Sequence, residues 1–327
     1  MKEWEEWECK TTFPYLQHLS MKHCPKLKVL SEQLLHLKKL VIGDCDKLII
    51  SGNNMNTFSL EVLRIYACPL VIIPVTHYDF LEEMTIDGGC DSLTIFPLDF
   101  FPKMRLLQLR MCRNLRRISQ ENAHNHLKEL TIDDCPQFES FPSEGLSAPW
   151  LKIIVIRGSE NLKLLPKRMQ ILLPSLTVLQ IIDCPEVEMF PDGGLPSNIR
   201  HMCLSSLNLI ASLRKTLDAN TCLQKLFVAN VDVESFPDEN LLPHSLPSLQ
   251  IYGCPNLKKL DYKGLCHLSS LTLHNCPNLQ GLPKEGLPKS ISSLEIWNCP
   301  LLKQRCQNKQ GEDWEKIAHI QKLSFVR

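Results

Sequence analysis

The chain has 327 residues, of which 44% are hydrophobic and 22% are charged, so it is too apolar to be disordered and long enough to bury a sizeable core. Thirty-six basic residues balance 36 acidic ones, a composition that offers no electrostatic footprint for nucleic acid or an anionic membrane. No apolar run approaches the ~18 residues of a membrane span.

The amino-terminal segment, MKEWEEWECK, is acidic and aromatic, whereas an export signal would be basic and then apolar. The 15 cysteines are odd in number and lie in a long chain, which favours reduced thiols over a disulfide framework. We therefore expect a cytoplasmic protein, and we assign residues 1–14 to an amino-terminal flank.

A repeated unit of the form L-x-x-L-x-[IL]-x-x-C occupies residues 15–303 and returns every 21 to 25 residues. Examples are SLQIYGCPNLKKL at 248, SLTLHNCPNLQGL at 270 and SLEIWNCPLLKQR at 293. This period is typical of leucine-rich repeats, and we count thirteen units.

Each unit predicts one short strand. Leu249 and Ile251 are two residues apart and point to one face, while Gln250 and Tyr252 point to the other. One strand cannot bury its own apolar face, so we expect the units to stack in parallel into a leucine-rich-repeat solenoid, an α/β horseshoe with its sheet on the concave face. Turns such as FPSEGL at 141 and LPKEGLP at 282 predict little helix on the convex face.

Cysteine occupies one position of the repeat in ten units, where the chain leaves the strand. We expect these thiols to be buried and structural, with metal binding or redox function as the alternative: Cys24, Cys45, Cys68, Cys90, Cys112, Cys135, Cys184, Cys254, Cys276 and Cys299. For the remaining cysteines we predict free thiols at the surface: Cys9, Cys203, Cys222, Cys266 and Cys306.

Catalytic and nucleotide-binding motifs are absent from the sequence: there is no phosphate-binding loop, no G-x-G-x-x-G, no H-E-x-x-H and no G-x-S-x-G. The eleven histidines are scattered and have no acidic partner at a fixed offset. We therefore expect no enzymatic activity, no cofactor and no metal. Convergent titratable groups on the concave face would revive an enzymatic interpretation.

The concave face carries the candidate binding residues. Tyr252, His274 and Trp297 follow the last buried strand residue in three consecutive units, and Gln250, Thr272 and Glu295 lie beside them. Large exposed aromatics are typical of binding hot spots, although packing against the carboxy-terminal cap is an equally good alternative. A second row of candidate binding residues carries charges that alternate in sign. The alternative is a charge ladder that is merely solvated. The residues are Asp87, Arg110, Asp133 and Arg157.

The last segment, 304–327, is predicted to cap the solenoid. It is rich in charge but carries Trp314, Ile317, Ile320 and Leu323, whose spacing suggests a short amphipathic lid over the last unit.

With these motifs the chain resembles the leucine-rich-repeat domain of plant intracellular nucleotide-binding disease-resistance proteins, of the coiled-coil or RPP13-like type. The likeness rests on the L-x-x-L-x-I-x-x-C-P-x-L unit, the FPSEGL and LPKEGLP turns, and the ending CPLLKQRCQNKQGEDWEKIAHIQKL. MKEWEEWEC also looks like a segment of those receptors. No motif of their nucleotide-binding or signalling domains is present, so the resemblance covers the sensor part alone.

The resemblance implies a protein-binding sensor in plant innate immunity, which recognises a pathogen effector or a modified host protein. In a full receptor such a sensor regulates a nucleotide-binding domain, supplied in cis or in trans. Neither nucleic acid nor membrane is an expected partner. The alternative is a general interaction scaffold or a substrate adaptor of a ubiquitin ligase.

Overall fold

The structure is a computed structural model and describes residues 15–28, 36–49, 59–73, 77–216, 222–307 and 311–326. The predicted flank, 1–14, and Cys9 lie outside these residues. The described chain forms two compact units: the first runs to Leu176 and includes Cys184–Val187, and the second comprises Thr177–Asp183 and the residues from Glu188 onward.

The first unit contains nine strands among its described residues. They are β1 (His18–Lys22), β2 (Lys39–Gly43), β3 (Val62–Cys68), β4 (Glu83–Gly89), β5 (Ile95–Pro97), β6 (Leu106–Arg110), β7 (Arg117–Ser119), β8 (Glu129–Asp133) and β9 (Ile153–Arg157). Seven form a parallel sheet in the order β1-β2-β3-β4-β6-β8-β9, while β5 pairs separately with β7. Among its described residues the first unit includes a 3₁₀ turn, Leu98–Phe100, and a short helix, α1 (Met169–Leu172).

The second unit repeats the arrangement. Its described strands are β10 (Val178–Ile182), β11 (His201–Leu204), β12 (Lys225–Ala229), β13 (Ser235–Phe236), β14 (Ser248–Tyr252), β15 (Lys259–Leu260), β16 (Ser270–His274), β17 (Ser293–Trp297) and β18 (Lys322–Val326). Seven pair in parallel in the order β10-β11-β12-β14-β16-β17-β18, and β13 pairs with β15. Its helices are α2 (Leu207–Thr216), α3 (Tyr262–Leu265) and α4 (Pro300–Cys306).

Register follows the sequence repeat. Leu249 pairs with Leu271, which pairs with Leu294, so equivalent apolar residues stack on one another. All three have no exposed surface, and each buried leucine contributes about 1.5–3 kcal/mol by leaving water. The predicted leucine-rich-repeat solenoid with parallel strands and little helix is confirmed. The thirteen predicted units each supply one strand, and β18 adds a strand beyond them.

The extra residue in the unit that ends at Cys90 is accommodated by two glycines at the end of β4. Gly89 has φ +144°, and a Cβ added there would lie 2.7 Å from the backbone nitrogen and oxygen of Cys68. Only glycine tolerates both the positive φ and this close approach. The insertion therefore extends one strand without disturbing the next unit.

The ten repeat cysteines are buried and are not disulfide-bonded, which confirms the prediction for this column. Among the others, Cys222 is exposed as expected, whereas Cys203 and Cys266 are only half exposed. The prediction for Cys306 was wrong: it has no exposed surface, because α4 turns its side chain under the end of the second unit.

Candidate functional site

The exposed side of each main sheet, called here the sheet face, is made by the first, third and fifth residues of the strands. In β14, Leu249 and Ile251 are fully buried, Ser248 and Gln250 are half buried, and Tyr252 is exposed. This is the alternation that a strand with one covered face requires. Side chains at these three positions are therefore available to a partner.

Three aromatic side chains lie next to one another on the sheet face of the second unit. Tyr252 pairs with His274, and His274 with Trp297, in adjacent parallel strands. The Tyr252 and His274 rings stack with centroids 4.7 Å apart, and the His274 and Trp297 rings meet edge to face at 6.0 Å. The prediction that these residues share adjacent strands within reach of one another is confirmed; their role in binding stays a prediction.

The aromatic row, Tyr252, His274 and Trp297, remains accessible although β18 lies beside it. Val326 pairs with Trp297, yet 38% of Trp297 and 46% of Tyr252 is exposed. Residues that merely packed against the cap would be covered. Exposed rings held in register by strands offer a partner a large apolar area at low entropic cost.

A polar row runs beside the aromatic one. Gln250 pairs with Thr272, and Thr272 with Glu295, two positions before the rings. Gln250 and Thr272 are half buried, whereas Glu295 is exposed. Among the described residues no ion pair includes Glu295, so its carboxylate faces solvent beside Trp297.

The charge ladder lies on the sheet face of the first unit. Asp87, Arg110, Asp133 and Arg157 pair in that order across β4, β6, β8 and β9, as the repeat spacing predicts. Within this row Arg110 Nε lies 4.0 Å from Asp133 Oδ2. Asp87 Oδ1 has no hydrogen-bond partner in the described part of the chain. The charge ladder places charges of both signs on the sheet face, where they can contribute to the electrostatic field that a partner meets.

The cysteine column has a structural role. Thiols donate to the carbonyl oxygen two residues earlier, as from Cys45 Sγ to Gly43 at 3.3 Å and from Cys254 Sγ to Tyr252 at 3.5 Å. Ser159, which replaces cysteine in one unit, makes the same contact through its hydroxyl. Burial raises the pKa of the Cys68 thiol to about 11 and that of Cys90 to about 12, so neither is a nucleophile near neutral pH.

The position after most strands of the main sheets is a feature that the sequence analysis missed. It adopts a left-handed backbone conformation, with φ 54° at Asn230, 64° at Gly253 and 53° at Asn275. The amide of each donates to the carbonyl of the last strand residue in the next repeat, as from Asn230 to Tyr252 at 3.0 Å. Asn, Asp and Gly, which tolerate this conformation, recur at the position and were the available signal.

Two cavities in the first unit were not predicted. One, of 1160 Å³, lies among the turns that follow β5 and β7 and includes Pro97, Ile118, Phe141 and Leu165 in its lining. The other, of 670 Å³, lies at the carboxyl ends of the strands, where Asp87 and Asp134 line it. In the described ranges no group of three or more His, Cys, Asp or Glu side chains is arranged to hold a metal ion.

Parallel strands at a constant repeat, a buried cysteine column and an exposed row of rings define a leucine-rich-repeat protein with a candidate protein-binding face. No family model matches the chain. It is 34% identical, over 306 residues and 88% of its length, to an Arabidopsis thaliana protein whose name assigns it to disease resistance. A second Arabidopsis protein, a disease resistance RPP13-like protein 1 by name, is 33% identical over 116 residues, or 32% of the chain.

The chain is therefore a homologue of these disease resistance proteins across its repeats, which confirms the resemblance seen in the sequence. It spans 21% of the length of the first relative and 11% of the second. In the part of the chain that the structure describes, none of the helices has the length and apolar character needed to cross a membrane.

Proposed function

We propose that this chain is a protein-binding sensor module of plant defence, located in the cytoplasm and without catalytic activity of its own. The observation that carries the proposal is the aromatic row, because three rings in register on an exposed sheet face form a preorganised contact surface. The names of the two relatives support the defence context.

The partner in this proposal is a pathogen effector or a modified host protein. The aromatic row forms the main contact, with Gln250, Thr272 and Glu295 fixing orientation by hydrogen bonds. The charge ladder of the first unit acts on the rate of association more than on affinity. In a full-length receptor the same module regulates a nucleotide-binding domain, which is the part of the proposal that rests on resemblance alone.

The test is affinity capture from extracts of infected and uninfected leaf tissue with three forms of the chain. These are the wild type, the double variant Tyr252→Ala/Trp297→Ala, and a control, Leu164→Ala/Ile171→Ala, which removes two apolar side chains exposed elsewhere (62% and 59%). We expect a defined protein to be retained by the wild type and the control but lost with the double variant. Equal retention by all three forms would contradict a role for the aromatic row.

A further inference from the structure

We propose that the aromatic row and Glu295 together bind a guanidinium group, that is, an arginine side chain of the protein partner. This inference rests on the proposed function, since it names the chemistry that the same face recognises. It follows from two observations: the partly exposed rings of the row, and a carboxylate beside them for which no ion pair is recorded among the described residues.

The rings supply a cation-binding surface. The face of an aromatic ring carries negative electrostatic potential, and tryptophan attracts cations most strongly among the aromatic side chains. Trp297 and Tyr252 are 38% and 46% exposed, and the His274 ring lies between them. A cationic group that reaches the exposed side of Trp297 or Tyr252 therefore meets an aromatic ring.

Glu295 supplies the opposite charge. It lies two residues before Trp297 on the same face of β17, and two residues of an extended strand span about 6.6 Å. An arginine side chain stacked on the Trp297 ring can thus place its nitrogens at the Glu295 carboxylate. The cross-strand neighbours of Glu295 are Thr272 and Ser324, which are neutral.

Several carboxylates of the chain are paired with a basic side chain one repeat away. Glu61 meets Lys38 at 2.8 Å, Glu82 meets Arg105 at 3.2 Å and Glu234 meets Lys258 at 2.6 Å. For Glu295 no such partner is recorded within the described ranges, so the carboxylate is left for a ligand.

Arginine fits this arrangement better than lysine. Its guanidinium is planar, more weakly hydrated than an ammonium group, stacks on aromatic faces and forms two parallel hydrogen bonds with a carboxylate. Lysine offers a compact charge that cannot satisfy both contacts in one plane. An uncharged planar group would stack but would gain nothing from Glu295.

The test begins with a random peptide library displayed on phage. It is selected on the full chain and depleted on the Tyr252→Ala/Trp297→Ala variant, so that only peptides dependent on the aromatic row survive. We expect the survivors to be enriched in arginine. Each is then synthesised with arginine and with citrulline, its uncharged planar analogue, and the dissociation constants are measured for the wild type, Glu295→Gln and a control, Glu285→Gln, which changes an exposed carboxylate in an outer turn.

The wild type and Glu285→Gln should bind the arginine peptide about tenfold more tightly than the citrulline peptide, the scale of one charge-assisted pair. Glu295→Gln should remove that difference. Row-dependent peptides without arginine preference, or a preference unaffected by Glu295→Gln, would overturn this inference and leave the proposed function standing. Recovery of no row-dependent peptide would overturn both.

Discussion

Arg305 Nε lies 3.0 Å from Asp313 Oδ2, and the Asp313 side chain is 99% buried while that of Arg305 is 38% exposed. The same carboxylate is 2.8 Å from Lys316 Nζ and accepts a hydrogen bond from the backbone amide of Leu282 at 3.0 Å. Asp313 therefore connects α4, the turn before β18 and the outer turn of the preceding repeat. The end of the second unit is held by this buried acid.

Replacing Asp313 should destabilise the second unit. Asp313→Ala leaves the Leu282 amide without its acceptor and removes the carboxylate that Arg305 and Lys316 share, and removal of one partner from a buried ion pair costs about 3 kcal/mol. Urea unfolding followed by circular dichroism measures the loss. The matched control is Glu312→Gln, because Glu312 pairs with the same Arg305 but its side chain is 74% exposed, and its change should stay below about 1 kcal/mol. Equal losses in the two variants would contradict the role assigned to Asp313.

The same residue predicts a pH dependence. Burial raises the pKa of Asp313, but hydrogen bonds from Arg305, Lys316 and the Leu282 amide outweigh it and lower the pKa to about 2. Because the folded pKa lies below the unfolded value of about 3.9, the contribution of about 2 kcal/mol is present above pH ~4 and is lost as pH falls towards 2. The stability gap between wild type and Asp313→Asn should therefore narrow between pH 5 and pH 2.5. A constant gap over that range would show that the carboxylate does not titrate as the structure implies.

Thiol reactivity should distinguish the buried cysteines of the repeat column from exposed cysteines. Cys222 is exposed and should react first with an aromatic disulfide reagent, whereas the buried column thiols should react only after unfolding. Burial also raises the pKa of Cys306 to about 12, so it should behave like the column. The measurement is the amplitude of the fast phase in native protein, which Cys222→Ser should lower by one thiol per chain. Fast labelling of Cys254 or Cys276 in the native chain would contradict the packing described.

The aromatic row should contribute to binding without holding the fold together. Tyr252→Ala and Trp297→Ala should each weaken the binding of a partner that contacts the aromatic row by about 2 kcal/mol, because truncation removes a preorganised contact. Both side chains are partly exposed, so the melting temperature should fall by much less than for Leu273→Ala, which empties a fully buried site. If the two aromatic variants lowered the melting temperature and left binding unchanged, the row would belong to the packing of the cap.

One residue at the left-handed position that follows the strands is poorly suited to that backbone conformation. Met111 has φ 49°, where a long side chain is disfavoured by about 1 kcal/mol relative to asparagine, and 48% of it is exposed. Met111→Asn should therefore stabilise the first unit by up to about 1 kcal/mol in urea unfolding. The control is Gln108→Asn in β6, the strand that precedes Met111, where the backbone is extended and asparagine should give no gain. A loss of stability with Met111→Asn would mean that the methionine makes a contact worth more than the backbone preference.

Much of the fold could be predicted because a short stretch of sequence specifies each repeat. Leu249, Leu271 and Leu294 recur at nearly equal spacing, so each repeat meets its neighbour at a constant offset and the register follows. The same spacing predicts that Tyr252, His274 and Trp297 lie side by side. The buried cysteine column followed from its fixed distance to the strand.

The carboxy-terminal end of the repeats, and the residues that depart from the repeat pattern, depended on tertiary contacts. β18 repeats the alternation of the other strands in Leu323 and Phe325, but it lies 29 positions after β17 by paired residues and falls outside the period. The burial of Cys306 and the three contacts of Asp313 join segments that no repeat relates. The free carboxylate of Glu295 is likewise a property of its neighbours in space. Sequence by itself determined the repeat, its strands and their register, because the contacts between neighbouring repeats recur at one offset along the chain. The tertiary structure alone decided how the last repeat is covered and which charges make no ion pair, because these features depend on single contacts that are not repeated.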